Sequence, residues 1–400
     1  MNTRKTIDQA FFDSFESSIG DINTAETLPP LCYTDAEFYQ FEKEAIFSSE
    51  WLCVGRKEWV ANEGDFFNTI IADEPIVVAR GRDGNINAMS SVCQHRAMLV
   101  SEGRGNARGF VCPYHHWVYG LDGRLINAPA MNKACNFDKA SNGLPRFKIE
   151  EWQGFLFVNF DQDAEPFGPR MKAIDDVVER FDMADAEEIE YTPAFKFPWN
   201  WKVMVENNND GYHASRLHQG PLHDFVPSDM ARFPEVPEGS AGYYRTNRTT
   251  HPDASFNATQ KALLPVFPRL TDEDRHQMLF VNIPPTLSLV MSSDSIIFLI
   301  VRATGPETNE MDVGVLAAKG ASKIEGFRQR MEMNGAAAAE IMAQDQHVDE
   351  LVQVGLRSKF APRGRYSWQE GAQIALNEWL VPRYREAWRR RQMGARQAAE

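Results

Sequence analysis

The chain has 400 residues, with 42 Lys and Arg against 56 Asp and Glu, for a net charge of −14. Hydrophobic residues make up 43% and charged residues 24%, so the composition is globular and the length calls for two or three domains. The acidic balance excludes a nucleic-acid protein, whose phosphate footprint needs clustered Lys and Arg. The longest wholly apolar run is Ile296 to Val301, far short of the about 20 residues that cross a bilayer. No apolar stretch precedes Asp8, so no signal peptide is expected. Cys32, Cys53, Cys93, Cys112 and Cys135 are an odd number, which argues for a reduced, cytoplasmic compartment rather than a disulfide framework.

Residues 1–45 read as an N-terminal arm with one helical stretch from Thr34 to Phe47. From Trp51 to about Phe160 the stretches FFNTII, PIVVAR, INAMSSV and FLFVNF are β-branched and aromatic, and Asp83-Gly84 and Asp122-Gly123 punctuate them. This predicts a small antiparallel β-domain over 46–163. A polar segment with Pro166 and Pro169 marks the boundary to a second domain, 164–400. There the pattern predicts a helix near 170–181, a strand near 189–197 and mostly helix from Trp199 to His218. Strands are expected within 278–303 and over 311–317, broken at Pro284-Pro285 and Gly305-Pro306. A long helix over 323–354 and a last one over 368–391 complete an α+β domain.

The chemistry of the first domain lies in Cys93-Gln94-His95, sixteen residues, then Cys112-Pro113-Tyr114-His115. A zinc finger pairs two Cys in one loop and two His in the other. One of each per loop suits two metals side by side, and a [2Fe–2S] cluster with two thiolates on one iron and two imidazoles on the other fits. A structural zinc and plain burial of the four side chains are the competing readings. Gly103, Gly105 and Gly109 lie between the loops rather than at a strand-to-helix turn, so they make no dinucleotide fingerprint.

A second site is spelled by Asp210, His213 and His218. On one helix Asp210 and His213 share a face. His213 and His218 are five apart, about 140° off-face, so they bind one metal only if the helix bulges or ends between them. Gly220-Pro221 is consistent with an ending. Two imidazoles and one carboxylate would leave open positions on Fe(II) for O2 and substrate.

Taken together, CQHRAM, CPYHHWVYGLDGRL and ENNNDGYHASRLH resemble the large (alpha) terminal-oxygenase subunit of the Rieske non-haem iron oxygenases. The resemblance implies an N-terminal all-β Rieske [2Fe–2S] domain and a C-terminal helix-grip-like catalytic domain, with an antiparallel sheet and flanking helices. It implies Cys93, His95, Cys112 and His115 as cluster ligands, and His116, where the family commonly has a small residue, as a non-ligand. It implies His213, His218 and Asp345 as ligands of a mononuclear Fe(II). Asp345 stands eight before Gln353 and ten before Gly355, as the family pattern asks, while Asp349 and Glu350 stay open as alternatives. Asp210 is implied to reach His115 of a neighbouring subunit, so that electrons cross a subunit boundary in a ring-shaped homotrimer, with or without a small beta subunit. Electrons would come from a separate NAD(P)H-dependent reductase, directly or through a ferredoxin. The expected reaction is O2-dependent hydroxylation of an aromatic substrate, an aromatic acid by preference. The alternative is oxidation of a quaternary ammonium compound such as choline, glycine betaine or carnitine. A Rieske electron carrier without oxygenase activity is the reading of another class, which His213, His218 and Asp345 discriminate.

Overall fold

The computed structural model describes residues 7–218 and 222–397. The chain divides into two compact units, Ser48–Pro166 and the combination of Met1–Phe47 with Phe167–Glu400.

The first unit is all β. Its strands are β1 (Leu52–Arg56), β2 (Asp65–Ile71), β3 (Glu74–Arg80), β4 (Ile86–Ser90), β5 (Arg104–Asn106), β6 (Phe110–Val111), β7 (Val118–Tyr119), β8 (Leu125–Asn127), β9 (Arg146–Trp152) and β10 (Phe155–Asn159). Seven of them form an antiparallel sheet in the order β1-β10-β9-β4-β3-β2-β5, and β6-β7-β8 form a small second sheet. Asp122-Gly123 turns β7 into β8, and Gly123 takes φ of 83°, a conformation that costs glycine nothing. The core between the sheets gathers Val77, Met89, Phe110, Trp117, Tyr119 and Leu144 around the buried Cys93 and Cys112. That core is what holds the two Cys–His loops at one end of the unit.

The second unit contains helices α1 (Gln9–Asp13), α2 (Leu31–Thr34) and α3 (Ala36–Glu42). After the β-unit come α4 (Phe167–Arg170), α5 (Lys172–Val178), α6 (Trp201–Asn209), α7 (Gly211–Leu217), α8 (Phe327–Leu356) and α9 (Gly371–Gln397). Its sheet uses β11 (Glu187–Phe197), β12 (Ala231–Arg232), β13 (Tyr243–Arg248), β14 (Gln277–Ile283), β15 (Leu287–Met291), β16 (Ile296–Gly305) and β17 (Thr308–Ala317). They run antiparallel in the order β11-β17-β16-β15-β14-β13-β12. Pro284-Pro285 falls in the connection β14–β15, and Pro306 follows the last residue of β16, Gly305, because proline cannot donate to a ladder.

The N-terminal residues are not a separate arm. Phe11, Phe12, Phe15, Phe38 and Phe41 form an edge-to-face aromatic cluster that closes on Tyr384 and Trp388 of α9. These apolar residues find their core across the sequence. Nor is 199–218 one helix, since it breaks at Asp210 into α6 and α7.

Candidate metal centres and substrate cavity

The second site is built on the break between α6 and α7. Asp210 leaves α6 with extended backbone (φ −78°, ψ 108°) and caps α7, its carboxylate accepting from the backbone N–H of Tyr212 and His213. An aspartate at this position satisfies two orphan donors and favours the helix dipole. It therefore does not share a helix face with His213 but precedes that helix. Its other oxygen, Oδ2, accepts from His213 Nδ1 at 2.9 Å. Helix α7 ends at Leu217, and His218 is its C-cap, which turns the second imidazole back toward the first. Gly220-Pro221, expected to mark that ending, lie outside the described residues.

Asp345 comes from α8. Its Oδ1 is 2.9 Å from His218 Nε2 and 3.6 Å from His213 Nε2, and the two Nε2 atoms are 3.1 Å apart. His218 Nδ1 donates to Gln344 Oε1 at 2.7 Å. With both Nδ1 protons committed, both Nε2 atoms present lone pairs to each other and to a carboxylate. Three lone-pair donors within 4.8 Å repel unless a cation lies among them, so this donor set fits a metal ion. The geometry brings Asp345, not Asp349 or Glu350, to the two histidines. Burial lowers the His218 pKa, but the Asp345 carboxylate facing Nε2, with Gln344 at Nδ1, more than offsets it; the net shift is upward, toward a proton at Nε2 in the place a metal ion would otherwise take.

A cavity of about 270 Å³ opens beside the triad. Its floor is one cross-strand row, Glu190, Val315, Ile297, Val290, Phe280 and Arg245, one residue from each of six strands. Its roof is one face of α8: Met331, Gly335, Ala338, Met342, Asp345 and Asp349 recur at the three- and four-residue spacing of a helix. Phe197, Trp199 and Phe256 close the sides. Arg245 is the only Lys or Arg among the lining residues. Its guanidinium lies 3.5 Å from the Phe280 ring centroid and donates to Asn247, and burial pulls its pKa down to about 10.

In the β-unit the two Cys–His loops have the same local structure. The N–H of Cys93 donates to Met98 and its carbonyl accepts from Ala97; the N–H of Cys112 donates to Trp117 and its carbonyl accepts from His116. Ala97 and His116 each sit in the left-handed region, at φ of 55° and 57°. This explains why a small residue suits position 116. The thiols point into the core, while the His95 and His115 rings lie at the surface with centroids 4.5 Å apart, His95 stacked on Trp117. The two thiols thus lie on the core side and the two imidazoles on the surface side, the separation of ligand types that one thiolate-bound and one imidazole-bound iron would need.

Residues 180–386, just over half of the chain, match the family described as "Ring hydroxylating alpha subunit (catalytic domain)", and residues 50–148 match the Rieske [2Fe–2S] domain. The chain belongs to the ring-hydroxylating alpha-subunit family. It therefore combines a Rieske [2Fe–2S] domain with a catalytic domain of a family that binds mononuclear iron. The carnitine monooxygenase oxygenase subunit of Acinetobacter baumannii is 34% identical over 206 residues, 50% of this chain and 54% of that one. The anthranilate 1,2-dioxygenase large subunit of Acinetobacter baylyi is 35% identical over 193 residues, 46% of this chain and 41% of that one. The chain thus spans about half the length of the curated relatives it matches. A quaternary ammonium Rieske monooxygenase shares the fold at a TM-score of 0.78 and 22% identity, over 95% of this chain and 99% of that one. Naphthalene 1,2-dioxygenase from Rhodococcus sp. does so at 0.79 and 18%, over 95% and 99%.

Sequence reasoning missed three features of these alpha-subunit centres. Gln344, which no motif marks, accepts from His218 Nδ1 and so fixes its tautomer. Tyr119, four residues beyond His115, accepts from Gln94 N–H at 3.0 Å and so has its proton free for Cys93 Sγ at 3.3 Å. Arg245 lies on a strand whose buried positions, Tyr243, Arg245 and Asn247, are largely polar. No apolar alternation announces that strand.

Proposed function

We propose that the chain is the terminal oxygenase component of a multi-part enzyme and that its substrate is a small quaternary ammonium compound. When bound, the cluster supplies one-electron transfer and the mononuclear iron supplies dioxygen activation. Cys93, His95, Cys112 and His115 hold the former; His213, His218 and Asp345 hold the latter. Asp210 and Gln344 fix the two imidazoles by holding their Nδ1 protons. The largely apolar cavity floor and roof would hold a substrate beside the triad.

The substrate class rests on one observation: the cavity offers aromatic faces and four carboxylates, Glu190, Asp210, Asp345 and Asp349, against a single guanidinium, Arg245. A cation is attracted to such walls, whereas an aromatic acid meets more negative charge than positive there, with Arg245 its one counter-ion. The likeness to the carnitine monooxygenase subunit points the same way. Aromatic-ring hydroxylation is the second reading, favoured by the apolar row Val315–Ile297–Val290–Phe280 and by the likeness to the anthranilate dioxygenase subunit.

Electrons come from a separate NAD(P)H-dependent reductase, directly or through a ferredoxin. The working form is a homotrimer in which Asp210 reaches His115 of the adjacent subunit, as inter-subunit electron transfer in the quaternary ammonium relative suggests. No described helix is long and apolar enough to cross a membrane, and the cytoplasm is the proposed compartment. The test is product identification by mass spectrometry with NADH, a surrogate reductase, and two panels: trimethylammonium compounds and aromatic acids. Oxidation within the first panel alone supports the reading; hydroxylation within the second alone overturns it.

A further inference from the structure

Asp349 is the one acid on the cavity face of α8 that the triad leaves unused. It stands four residues beyond Asp345, about 6 Å along the helix axis, and lines the same cavity. It is 2% exposed, and its Oδ2 has no hydrogen-bond partner. The Asn207 amide is its hydrogen-bonding neighbour, and the charges acting on it, Asp345 and Glu206, are both negative. Among the described residues no Lys or Arg pairs with it. A buried carboxylate left so is costly unless something supplies the missing positive charge. Consistent with that, burial first and the Asp345 charge second push the Asp349 carboxyl up to about 8, so that a bound cation is what would hold it ionised at neutral pH. The charge of Asp345 is taken by the donor set it belongs to; that of Asp349 is not.

We propose that Asp349 is the specificity residue for the substrate's positive charge, its free carboxylate oxygen serving as counter-ion to the quaternary nitrogen beside the triad. The assignment rests on the substrate class proposed above and names the residue that enforces it. A quaternary nitrogen has no N–H, so no hydrogen bond can select it. Recognition must come from a nearby charge in a dry site and from aromatic faces. Trp199 and Phe197 provide such faces in the same cavity, with ring centroids 4.6 Å apart. One helical turn between Asp349 and Asp345 would set the cation against one acid and an N-methyl carbon toward the other.

The test compares binding of choline, glycine betaine and carnitine with that of their isosteres carrying carbon in place of the quaternary nitrogen. Anaerobic calorimetry on the iron-loaded, full-length protein reads both, with iron content measured alongside. In Asp349→Asn the affinity for the cations should fall at least about tenfold, while that for the uncharged isosteres moves less than about twofold. Iron content should not change. Asp349→Glu retains the charge and should retain the preference, which keeps the test decisive if the Asn variant folds poorly. Equal losses for cation and isostere, an unchanged preference in Asp349→Asn, or loss of iron would each overturn the assignment. Wild-type protein that binds none of the cations, or shows no preference for them, would instead bring down the substrate class and this assignment with it.

Discussion

Asp210 does two jobs with two oxygens: Oδ1 caps α7 and Oδ2 holds the His213 Nδ1 proton. Asparagine can cap as well as aspartate, but its amide nitrogen cannot accept from an imidazole N–H. Asp210→Asn should therefore leave stability within about 1 kcal/mol of wild type while iron affinity or turnover falls on the order of 10–100-fold. Chelator competition and steady-state turnover read the two effects, and wild-type values for both would release Asp210 from the site. Tyr119 makes the matching prediction in the β-unit. Its hydroxyl proton is free for Cys93 Sγ, and a donor to a cluster sulfur raises the reduction potential. Tyr119→Phe keeps the buried ring and should lower the cluster potential in a redox titration. An unchanged potential would mean that the proton is given elsewhere.

At the scale of elements, what was legible followed from local chemistry. The breaks at Pro284-Pro285 and Gly305-Pro306, the long α8 and the ending between His213 and His218 each come from a residue acting on its own backbone. The cap at Asp210 was missed, because reading 199–218 as mostly helix placed Asp210 on a helix face with His213 rather than at the start of α7. What could not be read were partners distant in sequence. Phe11 and Phe12 announce burial but not that α9 buries them, and β13 hides because its inward side chains are polar. The ion pair between Arg180, just after α5, and Asp274, just before β14, is another such tie, with bonds of 2.7 and 2.9 Å. Burial raises the Asp274 pKa, but Arg180 and Thr271 donors win and bring it down to about 2. A lowered folded-state pKa contributes stability that is present above the unfolded value near 4 and lost as pH falls toward 2. Acid denaturation should thus show up to about 2 kcal/mol of pH-dependent stability between those limits that Asp274→Asn lacks. Parallel curves for the two proteins would assign that window to other carboxylates.

For the whole molecule, the sequence carried the two-centre plan because each centre is written in short segments: Cys93–His95, Cys112–His115 and Asp210–His218. For the third ligand of the proposed iron site the resemblance implied Asp345, with Asp349 and Glu350 open, and α8 brings Asp345 to the two histidines. The substrate was the least legible, because its cavity takes one residue from each of six strands and a face of a helix, none of them adjacent in the chain. The central claim is a division of labour between a cluster in the β-unit and an iron site on α7 and α8. Single-turnover oxidation of the pre-reduced cluster tests it most directly, followed by visible absorbance with O2 and a trimethylammonium substrate, in wild type and in His213→Ala. The account predicts rapid, substrate-dependent reoxidation with product in wild type. In His213→Ala it predicts an intact cluster spectrum, no substrate-dependent reoxidation and no product. Wild-type reoxidation and product from His213→Ala, or loss of the cluster spectrum in that variant, would contradict it.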